Sequence, residues 1–288
     1  MPAGSSQRSQ PHPEADLANH ILVAPASLVA SRLLQMVGEG AKPPVFVARS
    51  ESSALAVWTA LTAIAKDLEV VLFRPWDCLP YDRISPSREV MGLRMDALRV
   101  WLEGETDNRI LVTSLDALLQ RVPPADVIHE ASYELETGAF FDRPRFEAFT
   151  ARTGYLVDSV IDEPGEVALR EDFVEIYPAG GDLPMRIVLD EDGTIDELRF
   201  YDPTTQRTIE TVARMVFGPA SELILKDAEA AAPGDDLAME QRLRRHYEHL
   251  HPVLDILPPG PVILAQEVAD RLDVYLDIIA EAKSAQSM

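Results

Sequence analysis

The chain has 288 residues, of which 47% are hydrophobic and 26% charged, a composition that suits globular domains with their own cores. Against 26 lysines and arginines stand 48 aspartates and glutamates, a formal net charge of −22; this disfavours direct binding to nucleic acid or to an anionic membrane, because both are polyanions. A single cysteine, Cys78, excludes an intramolecular disulfide and a cysteine-cluster metal site and fits a reducing cytoplasm. Residues 1–16 are polar, with Ser, Gln and Pro prominent, and read as a disordered lead-in and not as a signal peptide. From Leu17 to Gly40 apolar residues recur at helical spacing, predicting a helix or a helix pair. Val45 to Ala48 is a short apolar run expected to be a buried strand. Ser52 to Leu68 is helical, with Leu55, Trp58, Leu61, Ile64 and Leu68 on one face. Val70 to Phe73 is the next strand, Val90 to Leu102 the next helix, and Arg109 to Thr113 a third strand, after which Ser114 caps a short helix through Gln120. Strands alternating with helices predict βαβ units on a parallel sheet, an α/β domain over 17–124 that ends at Pro123-Pro124.

The pattern then changes. Phe146 to Ala151 predicts a helix. Alternating runs follow at Tyr155 to Ile161, Val167 to Arg170, Phe173 to Tyr177, Met185 to Leu189 and Ile195 to Tyr201. Pro164-Gly165, Gly180-Gly181 and Asp192-Gly193 separate them, so 125–217 reads as an antiparallel α+β domain. A third part, 218–288, opens with an acidic, Ala-rich loop (Ala228 to Asp236). Helices over Met239 to Leu250 and Glu267 to Ala282 flank a strand at Val262 to Leu264. No run reaches about 18 apolar residues, so no transmembrane helix is expected.

Motifs for chemistry are sparse. The turn after the first strand, Arg49-Ser50-Glu51-Ser52-Ser53, stands where a phosphate loop would stand. It has neither the glycines that let backbone N–H groups close on phosphates nor the lysine that reaches the outer ones. His246 and His249 share a helical face at i, i+3, with His251 beyond. Three histidines can bind zinc, and His near a helix C-terminus also suits the helix dipole. The acidic groups Asp162-Glu163 and Asp190-Glu191-Asp192 border turn residues and read as solvated turns. No catalytic motif, metal or cofactor is implied, which points to a non-enzyme. Because all but four of the basic residues are arginines, the cations available for a partner are suited to bidentate pairing with carboxylates.

Three segments together carry a resemblance. The first is Phe73-Arg74-Pro75-Trp76-Asp77-Cys78-Leu79-Pro80-Tyr81-Asp82, with Ser85-Pro86-Ser87 and Arg94-Met95-Asp96-Ala97-Leu98. The second is Gly154-Tyr155, Glu163-Pro164-Gly165-Glu166 and Val174-Glu175-Ile176-Tyr177-Pro178. The third is Leu183-Pro184-Met185-Arg186-Ile187 with Leu198-Arg199-Phe200-Tyr201-Asp202-Pro203-Thr204-Thr205-Gln206-Arg207-Thr208. In this order they resemble the N-terminal UvrB-like region of the bacterial transcription-repair coupling factor, over about Leu17 to Ala282.

The resemblance implies a degenerate helicase-like (RecA-like) α/β domain with an inserted α+β domain and a smaller C-terminal α/β part. It implies a cytoplasmic DNA-repair module without ATPase motifs, whose inserted domain docks the excision-repair subunit UvrA. RNA polymerase is implied as a partner only if the chain is part of a longer factor. The family's UvrA-contacting arginines fall on Arg170 and Arg186, and an aromatic of the same contact set falls at Leu189 or Asp190. Where the family has two glycines after the first Arg, this chain has Glu171 and Asp172, which could pair with Arg170 internally. In the family a C-terminal domain masks this surface; the expectation here is a surface left exposed. The alternatives are a nucleic-acid-dependent ATPase or repair enzyme, and a structural or regulatory domain that has lost UvrA binding.

Overall fold

A computed structural model describes residues 25–38, 42–80, 82, 84–103, 108–171, 173–226, 237–257 and 259–286. In chain order its elements begin with α1 (Ala26–Gly38), β1 (Val45–Ala48), α2 (Glu51–Ile64), β2 (Glu69–Phe73), α3 (Arg88–Glu103), β3 (Arg109–Ser114) and α4 (Leu115–Leu119). Next come β4 (Arg121–Val122), α5 (Ala125–Glu130), β5 (Tyr133–Glu136), α6 (Arg143–Arg152), β6 (Leu156–Val157), β7 (Glu166–Leu169), β8 (Phe173–Ile176), β9 (Met185–Leu189), β10 (Ile195–Tyr201), β11 (Thr208–Val212) and β12 (Arg214–Phe217). The chain closes with α7 (Met239–His246), β13 (His251–Pro252), α8 (Val253–Ile256), β14 (Val262–Leu264) and α9 (Val268–Gln286).

The first sheet is wholly parallel, in the order β14-β1-β3-β2. Val45, Val47, Val71, Phe73 and Leu111 line one face and pack on Met95, Leu98 and Trp101 of α3 and on Val253 and Val268. Phe46, Ala48, Ile110, Val112 and Ile263 line the other, against Leu33 of α1 and Val57 and Leu61 of α2. Burial on both faces is why these strands are continuous apolar runs in the sequence. The C-terminal β14 adds directly to β1, with Val45 opposite Val262.

The second sheet has six strands in the order β11-β10-β9-β8-β7-β6, antiparallel except for the β6–β7 pair. Alternation puts Val167, Val174, Ile176, Met185, Ile187, Ile195 and Leu198 on its inner face. There they meet Phe146 and Phe149 of α6 and Tyr133, Leu135 and Phe217 of the β5–β12 pair. The rings of Tyr133, Phe146, Phe149 and Phe217 contact one another in tilted and edge-on arrangements. The molecule is thus a mixed α/β structure with a parallel sheet and a second, mainly antiparallel one.

The two sheets meet along α3. Gly92 lies so close to the segment after β8 that a Cβ there would sit 2.3 Å from the Ala179 Cβ. Nearby, Arg94 is fully buried with Glu222: Arg94 Nε donates to Glu222 Oε1 at 2.5 Å. Arg94 Nη1 donates to the Arg74 carbonyl (2.6 Å) and to Gln120 Oε1 (2.9 Å), and Trp76 Nε1 donates to the same Glu222 oxygen at 2.7 Å.

Several expectations are corrected. The helix expected over Met239 to Leu250 stops at His246. Tyr247 turns away to donate its hydroxyl to the Glu222 carbonyl and to accept the Ile224 N–H, both at 2.9 Å, while His246 Nε2 reaches the Ile224 carbonyl. His249 therefore leaves the helix, His251 lying beyond it as expected, and among the described residues no three His, Cys, Asp or Glu side chains group to hold a metal. The strand run expected over Tyr155 to Ile161 is confined to Leu156–Val157, because the Asp158 carboxylate captures the Ser159 and Val160 N–H groups and turns the chain. The helix expected from Leu17 is described from Ala26 onward; residues 1–24, and the acidic stretch 227–236, lie outside the described residues. Among the described residues no helix is long and apolar enough to cross a membrane.

Candidate partner-docking surface

The outer face of the second sheet is polar. Across β7, β8, β9 and β10 the register aligns Ala168, Glu175, Arg186 and Arg199 in one row. Cross-strand neighbours on one face come within about 5.5 Å, so Glu175 and Arg186 meet. Arg186 donates to Glu175 Oε1 from Nε at 2.9 Å and from Nη2 at 2.5 Å. Its Nη2 also donates to Gln206 Oε1 at 2.9 Å. Gln206 is delivered by the turn between β10 and β11, where it holds a left-handed φ of 59°. The Asp202 carboxylate fixes that turn by accepting the Thr204 and Thr205 N–H groups.

Arg170 reaches the same carboxylate from the other side, its Nε 3.9 Å from Glu175 Oε2. Its Nη2 donates to the Ser159 carbonyl at 2.6 Å. Both guanidiniums lie near the Phe173 ring, at 5.5 Å and 5.1 Å, and Arg186 lies 4.8 Å from the Tyr201 ring. Burial first, and then the Glu175 carboxylate, push the Tyr201 hydroxyl well above its ordinary value. The side chain of Glu175 is 7% exposed, that of Arg186 28% and that of Arg170 48%. One sunken carboxylate therefore anchors two guanidiniums whose outer edges face solvent. Charge-assisted hydrogen bonds fix the Arg186 guanidinium in orientation as well as in place, while Arg170, at ion-pair distance from Glu175, is oriented by its bond to the Ser159 carbonyl.

The structure thus brings Arg170 and Arg186 together. Leu189 and Asp190 are placed differently. Leu189 follows the inward Ile187 by two residues and packs against the core of the second sheet. Asp190 is exposed, and its Oδ1 accepts the Asp192 and Thr194 N–H groups at 3.0 Å and 2.8 Å, holding the β9–β10 hairpin. Glu171 is exposed, and its backbone carbonyl, like that of Arg170, accepts from Arg143. Asp172 lies outside the described residues. Glu175, Tyr201 and Gln206 lie inside the motifs quoted above and Phe173 opens a predicted strand, but none of the four was assigned a role at the surface. The acid at an outward position between Val174 and Ile176 was the available signal.

At the carboxyl ends of the parallel strands the α2 N-terminus is closed by its own side chains. Ser50 Oγ accepts the Ser53 N–H, Glu51 receives Arg74 Nε at 2.6 Å, and Arg49 pairs with Glu267 at 3.2 Å. Cys78 is half-buried, and burial, with Glu240, Asp77 and Asp82 adding to it, pushes its thiol up to about 11.

Residues 133–223 match the UvrB interaction domain family, a span that holds both arginines and Glu175. Similar proteins include the transcription-repair-coupling factor of Bacillus subtilis, 26% identical over 196 residues. That of Escherichia coli is 29% identical over 193 residues, and that of Myxococcus xanthus 30% identical over 189. These alignments cover 68%, 67% and 64% of this chain but only 16%, 16% and 15% of the relatives, so the chain spans a small part of their length. Residues 133–223 are thus similar to the UvrB interaction domain family, and about two-thirds of the chain resembles the UvrB-like N-terminal region of the transcription-repair coupling factors.

Proposed function

We propose that this chain is a non-catalytic docking module of nucleotide excision repair, working in the cytoplasm, that binds UvrA through the outer face of its six-stranded sheet. Arg170 and Arg186 are its principal contacts, each offering a guanidinium edge to a carboxylate of the partner. The observation that carries this reading is the shared anchor. Glu175 is nearly buried and holds both guanidiniums side by side, while half of Arg170 and a quarter of Arg186 stay open to solvent. The Nη1 groups of both make no hydrogen bond to the described residues. Pre-oriented arginines are frequent interface hot spots because little freedom is lost when the partner arrives. The net charge of −22 favours a protein partner over DNA.

In the same reading 17–124 is a degenerate helicase-like α/β domain, 125–217 an inserted UvrA-interaction domain, and 218–288 a second α/β part. Leu189 and Asp190 contribute through the core and the hairpin turn and not as an apolar contact. Titration of the purified chain against its cognate UvrA tests the reading. The intact chain is expected to bind, and Arg170→Ala and Arg186→Ala are each expected to weaken binding by roughly tenfold or more. Absence of binding by the intact chain at tens of micromolar sinks it.

A further inference from the structure

We infer that Phe140 is the apolar anchor of this docking surface, and that the partner meets it with an apolar recess bordered by basic residues; the inference rests on the docking reading above. Phe140 is 72% exposed, the most exposed large apolar side chain among the described residues. Exposure alone would be unremarkable for a residue on a loose loop, but its backbone is held on both sides. The Gly138 N–H donates to the Ile195 carbonyl (2.8 Å), the Ile195 N–H to the Ala139 carbonyl (2.9 Å) and the Phe141 N–H to the Gly193 carbonyl (2.9 Å). Phe140 itself bridges Thr194 in antiparallel register.

The direction of the ring follows from alternation. Phe141 is 4% exposed and belongs to the core, so Phe140 points the opposite way. Its bridge partner Thr194 precedes the buried Ile195 and shares that outward side. On β9 the outward positions are Arg186 and Val188, alternating with Ile187 and Leu189, and the exposed Asp190 follows the strand. The ring is seated against Gly193, where a Cβ would stand 3.2 Å from the Phe140 Cε2. A glycine with φ of 81° at the hairpin tip thus gives the ring its shelf. Along β10 from Thr194 to Arg199, the residue opposite Arg186, is about 15 Å of strand. That fits within the footprint of roughly 800 Å² that one partner presents in a standard interface.

The charges around the two ends differ, which fixes the kind of partner. Beside Arg170 and Arg186 the matching groups are carboxylates. The hairpin whose Gly193 meets the Phe140 ring also carries the exposed Glu191 and Asp192, and Asp190 with its Oδ1 turned into the hairpin. An apolar recess for the ring, rimmed by lysine or arginine, complements that end. A rigidly presented aromatic is a frequent hot spot, since its area is buried at little cost in freedom.

The full chain and its cognate UvrA provide the test, with dissociation kinetics as the readout. Phe140→Ala is expected to weaken binding tenfold or more, chiefly through faster dissociation, with an unchanged melting temperature because the ring contributes nothing to the core. Phe140→Trp is expected to retain binding, and Glu191→Lys to slow association at low salt. If Phe140→Ala binds like the intact chain while Arg186→Ala is weakened, the anchor is refuted and the docking reading stands. If Phe140→Ala is weakened while both arginine variants bind normally, the anchor stands and the arginine reading falls. If the intact chain does not bind, both fall.

Discussion

Replacing Arg94 by Leu attacks the junction between the two sheets where it has least redundancy. Arg94 and Glu222 are both fully buried, and the guanidinium spends its donors on Glu222, the Arg74 carbonyl and Gln120. It also lies 4.4 Å from the Phe73 ring. The leucine leaves the Glu222 carboxylate inside with one remaining side-chain donor, Trp76 Nε1. Breaking a buried pair by removing one partner costs about 3–5 kcal/mol, because the other charge stays uncompensated. Arg94 Nη2 and Glu222 Oε2 already lack partners among the described residues, so the intact pair is incompletely satisfied, and about 3–4 kcal/mol is expected. The double variant Arg94→Leu/Glu222→Leu removes both charges and fills the space with carbon; it should be at least about 2 kcal/mol more stable than the sum of the singles implies. Urea denaturation followed by tryptophan emission measures this, with Trp76 itself bonded to the pair. Additive single effects, or a cost below about 1 kcal/mol for Arg94→Leu, would refute the idea that this pair ties α3 to the segment beyond β12.

Three further outcomes follow from the structure. Gly92→Ala should lower stability by about 2–3 kcal/mol, since the new Cβ would stand 2.3 Å from the Ala179 Cβ and 2.6 Å from its carbonyl carbon; an unchanged thermal midpoint would contradict so close an approach. Tyr155→Phe strips a hydroxyl that donates to the Gly218 carbonyl at 2.9 Å and accepts the Ala179 N–H at 3.3 Å, and leaving those groups unpaired should cost about 1–3 kcal/mol by denaturant titration. Cys78, with its thiol raised from 9.0 to about 11, should be alkylated roughly 100-fold more slowly at pH 8 than a free thiol, because only the thiolate reacts and its fraction falls with each unit; alkylation within tenfold of a model thiol would count against its burial.

The parallel sheet was legible because burial on both faces writes its strands around unbroken apolar runs, as in Val45 to Ala48 and Ile110 to Val112. Its order was not. That β14 lies beside β1 is a pairing across more than 200 residues, which no local period encodes. A separation of 128 residues likewise hides Glu222 from Arg94. The strands β5 and β12 were overlooked because each is only four residues long, and β5 alternates with charges as Tyr133-Glu134-Leu135-Glu136. The docking surface was half legible. Arg170 and Arg186 could be placed by motif, but their convergence on Glu175 needs the register of β8 against β9. The inward side of Leu189 could have been read from two-residue alternation with Ile187. Phe140 was hidden beside Phe141, since adjacent aromatics look alike until one of them is known to face the core.

The two arginines of the surface should separate in a stability measurement, and that separation matters for any docking experiment. Arg186 lies opposite Glu175 and holds its carboxylate with two bonds, at 2.9 Å and 2.5 Å. Arg186→Ala leaves a 7% exposed carboxylate with Arg170 at 3.9 Å and the Tyr201 hydroxyl, and should cost about 1–3 kcal/mol. Arg170 is half exposed and gives its hydrogen bond to a loop carbonyl, so Arg170→Ala should cost under about 1 kcal/mol. Loss of docking by Arg186→Ala therefore mixes a missing contact with a disturbed sheet, whereas loss by Arg170→Ala reports the contact. Arg186→Lys keeps the charge but loses the planar fork that reaches Glu175 and Gln206 together, and should melt between the intact chain and Arg186→Ala. Removing the stranded carboxylate as well, in Arg186→Ala/Glu175→Ala, should recover part of the loss. Were Arg186→Ala to melt with the intact chain, Glu175 would not depend on Arg186, and a single carboxylate could not be what holds both guanidiniums toward a partner.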